Sequence, residues 1–197
     1  MSEKLIPLPN NHEHWIHKLF SISPSSDGPL VLTEQQYAVY WPLVDGFWMH
    51  TNTQRHKHGK SISHYYSCRL GKGRISSKAE RFPAENLSGK SRVTSFRSPV
   101  ECCKMRIKIT ESIPVPGKFK TYTVEQVIPR DATNCFQHNH TIEESWKRKR
   151  SSFLTNIIRD ELAKGYTPAQ VKDRLKGTGR AGGYERLESV GGAFIDR

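Results

Sequence analysis

Four segments between Gly46 and about Ile128 carry the apolar pattern of β-strands. The segments FWMHT, SISHYYSCRL, CKMRIKIT and KFKTYTVEQVI are rich in β-branched and aromatic residues, and apolar and polar positions partly alternate along them. Clusters of Gly, Ser and Pro separate the segments, and a long polar stretch lies between the second and the third. The pattern predicts four antiparallel strands with a long polar loop in the middle.

The pattern becomes helical after His140. Thr141 and Glu144 have the spacing of a capping box, and no Gly or Pro follows until Gly165, which predicts one long helix or two abutting ones. Five apolar residues of this segment fall on one helical face: Phe153, Leu154, Ile157, Ile158 and Leu162.

A second helix is predicted after Gly165. Thr167 suits the N-cap, Pro168 suits the first helical position, and Gln170 completes a further capping box. The two helices have the outline of a helix-turn-helix motif, with residues 169–176 on the recognition helix. A plain helical hairpin packed against the sheet explains the same pattern.

The ends of the chain lack long periodic segments. Residues 1–32 are broken by Pro, Asn, Ser and Gly and are predicted to form a flexible arm, and the glycine-rich residues 178–197 a flexible tail. Thr33 and Gln36 predict a short capped helix that Pro42 ends. The predicted fold is α+β, with a four-stranded antiparallel sheet domain in residues 33–140 and a helical hairpin in residues 141–177.

Composition and charge point to a polyanionic partner. The 197 residues carry a formal charge of +12 with a pI near 9.7, which is more than solubility needs and fits nucleic acid. An anionic membrane surface is the competing partner. The sequence has no apolar run long enough to span a bilayer, no apolar signal core and no basic amphipathic helix with an aromatic face, so a nuclear or cytosolic protein is expected.

The segment NCFQHNHTIEE contains candidate metal ligands. His138 and His140 lie one residue apart, so on an extended segment both rings point to the same face. A closed structural zinc site needs two more N or S ligands. The candidates are Cys68 near the end of the second strand and Cys103, or its neighbour Cys102, at the head of the third.

The proposed set is a Cys2His2 site for one structural Zn²⁺: Cys68, Cys103, His138 and His140. Disulfides are disfavoured in a chain without a secretion signal. The remaining cysteines, Cys102 and Cys135, suit the role of small apolar core residues. The apolar content of only 35% makes a zinc ion a useful source of folding energy.

The motifs HYYSC, CKMRIKI and a strand ending in HNH resemble the WRKY and glial-cells-missing superfamily of zinc-bound β-sheet DNA-binding domains. The similarity is greatest to its FAR (far-red impaired response) branch and covers residues 47–140. In that branch the domain commonly precedes the transposase of Mutator-like elements or occurs in transcription factors derived from them. The WRKY heptad is absent, so base-reading residues cannot be transferred, and no catalytic transposase domain fits in this chain.

The resemblance implies that the first strand, FWMHTNTQRHKHGK, faces a DNA groove. Asn52, Gln54 and Arg55 have the chemistry to read bases, while Lys57, Lys60 and Lys72 are candidates for phosphate contacts. No carboxylate occurs between Asp45 and Glu80, although a solvated basic loop explains this equally well.

A second basic group follows the zinc ligands. It consists of Lys147, Arg148, Lys149 and Arg150. Such a run serves as a nuclear-import signal, as a phosphate-contacting patch or simply as an exposed helix face.

The sequence contains no paired carboxylates in a concave setting, no glycine-rich phosphate loop and no nucleophile elbow, so no enzyme is predicted. A zinc ion with four protein ligands also leaves no position for a reactive water. The sequence therefore predicts a nuclear, sequence-specific double-stranded DNA-binding protein of the zinc-finger type, acting as a transcription regulator or as a transposase-derived DNA-binding region. The alternative is a zinc-scaffolded adaptor between proteins with non-specific nucleic-acid affinity.

Overall fold

The computed structural model describes residues 8–23, 28–56, 61–71, 103–112, 119–128, 137–176 and 187–194. Its centre is an antiparallel sheet in which the strands follow the order β1-β5-β4-β3-β2. The strands are β1 (Leu30–Thr33), β2 (Trp48–Arg55), β3 (Ser61–Cys68), β4 (Arg106–Ser112) and β5 (Thr121–Gln126). The α+β class is confirmed, but the sheet has five strands and not four. The strand missed in the sequence, β1, pairs with β5 along its whole length.

In β4 and β5, one face of the sheet is buried and the other is polar. Ile107, Ile109 and Val124 point into the core and are fully buried, while Lys108 and Thr123 alternate with them on the opposite face. Within the described residues, the sheet is accompanied by α1 (His12–Phe20), α2 (Glu34–Val44), α3 (Ile142–Trp146), α4 (Ser152–Ala163) and α5 (Pro168–Lys176). Helix α2 packs on the buried face, where the rings of Tyr37 and Tyr122 stack at 3.8 Å.

The predicted capping boxes are present. Thr33 and Thr141 each accept from the backbone N–H three residues on, and Gln36 and Glu144 return the bond. Gln170 and Thr167 make the equivalent pair ahead of α5.

The prediction that Pro42 ends α2 is wrong. The helix continues to Val44, and the amide of Asp45 still donates to the carbonyl of Trp41 across the proline. A proline in a helix removes one hydrogen bond and crowds the carbonyl four residues earlier, and the burial of Leu43 and Val44 offsets that cost.

Both ends of the chain contain packed elements, which corrects the prediction of a flexible arm at 1–32 and a flexible tail at 178–197. In α1, Ile16 and Leu19 are buried, and Leu187 and Val190 of a 3₁₀ turn near the C-terminus are buried as well. The ring of His12 also lies 2.8 Å from the hydroxyl of Ser189. Apolar burial and hydrogen bonding thus hold the described parts of both segments, although the domain boundaries at 33, 140 and 177 stay predictions.

The segment after His140 forms two helices separated by residues 147–151, not one long helix. Leu154 and Ile157 of the predicted apolar face are buried, but Leu162 is 42% exposed. The inward position beside it belongs to Glu161, which is 1% exposed and contacts the Nε atom of Arg174 at 3.3 Å. Lys164 contacts the other carboxylate oxygen of Glu161, so charged contacts lie where the pattern predicted apolar packing between α4 and α5. None of the described helices combines the length and apolar character needed to cross a membrane.

Candidate metal centre

Four side chains from three separate segments meet at one end of the sheet. Cys68 ends β3, Cys103 precedes β4, and His138 and His140 lie just before α3. Their Sγ and ring nitrogen atoms all lie within 4.8 Å of one another. The structure thus brings together all four residues predicted as metal ligands.

Two backbone hydrogen bonds at the ends of β3 and β4 position the two cysteines. The amide of Cys68 donates to the carbonyl of Met105 at 2.9 Å, and the amide of Cys103 donates to that of Leu70 at 3.3 Å. The turn that follows Cys68 passes close to the cluster. A Cβ atom on Gly71 would lie 2.8 Å from the carbonyl oxygen of Cys68 and 3.0 Å from that of Cys103, so this turn requires glycine.

The distances fit a tetrahedral metal site. His140 Nε2 lies 3.0 Å from Cys68 Sγ, His138 Nδ1 lies 3.2 Å from Cys103 Sγ, and the two ring nitrogens are 3.0 Å apart. A regular zinc tetrahedron has N–N and N–S edges of about 3.4–3.6 Å, from bonds of about 2.0–2.3 Å. Lengthening these interatomic distances by about half an ångström would therefore give the geometry of a zinc site.

The ring of His140 is oriented by a hydrogen bond on its far side. Its Nδ1 lies 3.0 Å from the carbonyl oxygen of Thr141, which can only accept, so Nδ1 carries the proton. The lone pair is then on Nε2, which faces the cluster. Metal-binding histidines are usually held in this way.

The two thiols are hydrogen-bonded to each other. A hydrogen bond with Cys103, together with burial, raises the pKa of Cys68, and the same hydrogen bond lowers the pKa of Cys103. Cys103 is thus readily ionised while Cys68 keeps its proton. A second thiolate at this buried position needs a cation beside it, and a bound divalent metal supplies that charge.

Aromatic rings form one wall of the cluster. The ring of Phe20 stacks on that of His138 at 4.0 Å with an interplanar angle of 11°, and Trp48 lies 5.3 Å from the same imidazole. Sequence reasoning missed this wall because α1 was taken for a flexible arm. The spacing of Ile16, Leu19 and Phe20, which matches one helical face, was the available signal.

The predicted base-reading residues lie on β2 and do not share one face. Every residue of β2 after Trp48 is exposed. A bulge between His50 and Asn52 puts Asn52 opposite Tyr65 and Gln54 opposite Ser63, on the polar face of the sheet. Arg55 pairs with Ile62 and therefore lies on the other face.

Three predicted phosphate contacts, Lys57, Lys60 and Lys72, lie outside the described residues, as do Cys102 and Cys135. The basic run that precedes α4 is described. Lys147, Arg148 and Lys149 are exposed and Arg150 is half-buried. The run passes close to the start of β2, because a Cβ atom on Gly46 would lie 2.8 Å from the carbonyl oxygen of Lys149.

Comparison with known proteins gives no relative: no family model, no curated protein and no solved structure matches this chain.

Proposed function

We propose that this protein binds double-stranded DNA and that one structural zinc ion holds its DNA-binding sheet together. The Cys2His2 cluster carries the proposal. Two thiolates and two imidazoles within 4.8 Å are the donor set of closed zinc sites, and oxygen-preferring Mg²⁺ or Ca²⁺ suits them poorly. With all four positions taken by the protein, zinc would stabilise the fold and activate no water, which agrees with a non-enzymatic role.

The DNA-contacting element in this proposal is the ribbon formed by the edge strand β2 and its neighbour β3, which pairs with β4 on its other side. Strands at the edge of a sheet can enter the major groove, which is about 12 Å wide. The amide side chains of Asn52 and Gln54 are the groups that read adenine by paired hydrogen bonds, and Tyr65 lies beside them on the same face. The charge of +12 supplies the attraction for the phosphate backbone.

The exposed cations of the 147–150 run would hold phosphates beside the groove. Trp48 and Arg55 are seven residues apart, so the ribbon extends by about 23 Å from its root near this run. That length corresponds to about seven base pairs at about 3.4 Å each. The same run would serve nuclear import, and the FAR resemblance favours a transcription regulator or a transposase-derived protein. Helices α4 and α5 would complete the fold as a helical hairpin of helix-turn-helix type.

Zinc stoichiometry by native mass spectrometry tests the metal centre. We expect one zinc ion per wild-type chain and none in Cys68→Ser or Cys103→Ser. Cys102→Ser is the matched control, because Cys102 lies next to a ligand in sequence and should keep the metal. A wild-type chain without zinc, or loss of zinc in Cys102→Ser alone, contradicts the assigned site.

Fluorescence anisotropy with DNA duplexes at several salt concentrations tests the partner. Wild type should prefer some duplex sequences, and Asn52→Ala/Gln54→Ala should lose about 1–3 kcal/mol of that preference for each base contact removed. The control variant Gln35→Ala/Asn156→Ala removes the same side-chain amides from α2 and α4, and it should leave the duplex preference intact. Equal affinity for all duplexes would leave only non-specific binding, and tight binding to a protein without DNA affinity would favour an adaptor.

Deletion of Thr51 tests the assigned face. Thr51 is the extra residue of the bulge, so its removal should keep Asn52 opposite Tyr65 and Gln54 opposite Ser63, in a ladder without a bulge. The preferred duplex should therefore stay the same while zinc remains bound. A changed preference with zinc bound contradicts the assignment.

A further inference from the structure

The two histidines of the cluster are held in different ways. His140 has a hydrogen-bond acceptor behind it, the carbonyl of Thr141 at 3.0 Å. For His138, Nδ1 faces the cluster, and Nε2 is buried without a hydrogen-bond partner within the described ranges. A metal-binding histidine normally relies on such a partner for its orientation.

An aromatic contact occupies the face of the His138 ring instead. Phe20 stacks on it almost in parallel, at 4.0 Å and 11°, and meets the His140 ring edge-on at 5.6 Å and 75°. Phe20 is only 7% exposed, so its ring has little freedom to move. Trp48 lies at 5.3 Å and an angle of 56° to the His138 ring. Rotation of the imidazole out of its plane would therefore strike packed rings.

We propose that Phe20 is the positioning residue for His138 and that α1 is part of the metal centre. The inference rests on the proposed zinc site. The stacked ring keeps Nδ1 directed at the metal, a task that hydrogen bonding performs for His140. An α-helix from outside the zinc-binding sheet thus sets the geometry of one ligand.

The expected size of the effect follows from the contact. Losing the free energy of an aromatic pair of this kind raises a dissociation constant by about 2- to 10-fold. Replacing Phe20 by Leu removes the stack but keeps an apolar side chain, whereas Tyr keeps the stack. Leu19→Ala is the matched control, because Leu19 is fully buried on the same helix and offers no ring to either histidine.

Competition between the protein and a chromophoric chelator measures the zinc dissociation constant, and the d–d absorption bands of bound Co²⁺ report ligand geometry. Phe20→Leu should bind zinc about 2- to 10-fold more weakly and shift the Co²⁺ bands. Phe20→Tyr should have wild-type zinc affinity and wild-type Co²⁺ bands. Leu19→Ala should lower thermal stability but leave the zinc affinity and the Co²⁺ bands unchanged. Wild-type zinc affinity and Co²⁺ bands in Phe20→Leu would overturn the proposal.

Hydrogen exchange on the wild-type chain provides a second test that needs no variant. Binding is reciprocal, so if Phe20 stabilises the bound metal, zinc must stabilise the docking of α1. Adding zinc should slow exchange in the last turn of α1 more than in α5. If exchange in α1 is equally fast with and without bound zinc, the role of Phe20 is refuted. If the chain binds no zinc, the metal centre itself is refuted.

Discussion

The carboxylate of Asp45 links the sheet to the helices that follow the metal ligands. Asp45 lies in the 3₁₀ turn before β2, and its Oδ1 accepts from the backbone amide of Ser152 at 2.8 Å, while its Oδ2 accepts from the hydroxyl of the same residue. Ser152 is the first residue of α4, so the negative charge also faces the positive end of that helix. We predict that Asp45→Ala weakens the attachment of α4 to the sheet.

The contacts between Asp45 and Ser152 determine how much stability the variant should lose. A hydrogen bond to a charged group contributes about 1.5–3 kcal/mol, and the charge at a helix N-terminus adds about 0.3–1 kcal/mol. Ser152 is exposed, so the lower values apply, and the cap made by Ser151 remains. Asp45→Ala should therefore cost about 2–4 kcal/mol, or about 5–15 °C in Tm for a chain of this size.

Thermal unfolding with zinc present throughout measures this effect. Asp45→Asn keeps an acceptor and should cost about 1 kcal/mol, and Ser152→Ala, which removes only the hydroxyl bond, a similar amount. In the double variant Asp45→Ala/Ser152→Ala the two losses should not add, because both belong to one contact. Additive losses, or a Tm for Asp45→Ala within about 2 °C of wild type, would refute the reasoning.

Three further predictions concern other contacts. Glu161→Gln should cost about 2–4 kcal/mol in chemical denaturation, because the buried Arg174 contact at 3.3 Å loses its charge, while the exposed Glu143→Gln should cost little. Removing zinc with a chelator should lower Tm, and free zinc at a thousandfold excess over Kd should restore about 4 kcal/mol in scanning calorimetry, whereas Mg²⁺ should not. Gly191→Ala should make the C-terminal segment sensitive to limited proteolysis, because the φ of Gly191 is +85° and a Cβ atom there would lie 2.7 Å from the Trp146 ring. Gly28→Ala is the control for backbone strain alone, because Gly28 has a φ of +77° but open space around it.

Local signals predicted the parts of the fold that local chemistry determines. The capping boxes at Thr33 and Thr141 are present because each joins groups only three residues apart. The β1 strand gave no such signal. Its four residues gain their stability from pairing with β5, some ninety residues away in sequence, and from burial of Leu32. Long-range pairing of this kind leaves little pattern in a short segment.

The metal ligands were predictable by type but not all by position. The His-x-His spacing and the need for two thiolates pointed to the four residues that the structure brings together, yet the sequence left Cys102 and Cys103 open. Neighbours on an extended segment point to opposite faces, so register decides which one faces the histidines. That register depends on the bond from the Cys103 amide to the carbonyl of Leu70, a contact across the sheet. The bulge that turns Asn52 to the polar face is set by strand pairing in the same way.

The position of the cluster relates the metal to the proposed DNA-contacting ribbon. Cys68 pairs directly with Trp48, the first residue of β2, so a ligand lies at the root of the ribbon. Residues Asn52 and Gln54 are beyond that root and take no part in the cluster. If zinc orders the root, DNA affinity should fall when zinc is removed, although none of the residues proposed to contact DNA belongs to the cluster. The same linkage requires bound DNA to tighten zinc binding by an equal factor, because coupling between two sites is reciprocal.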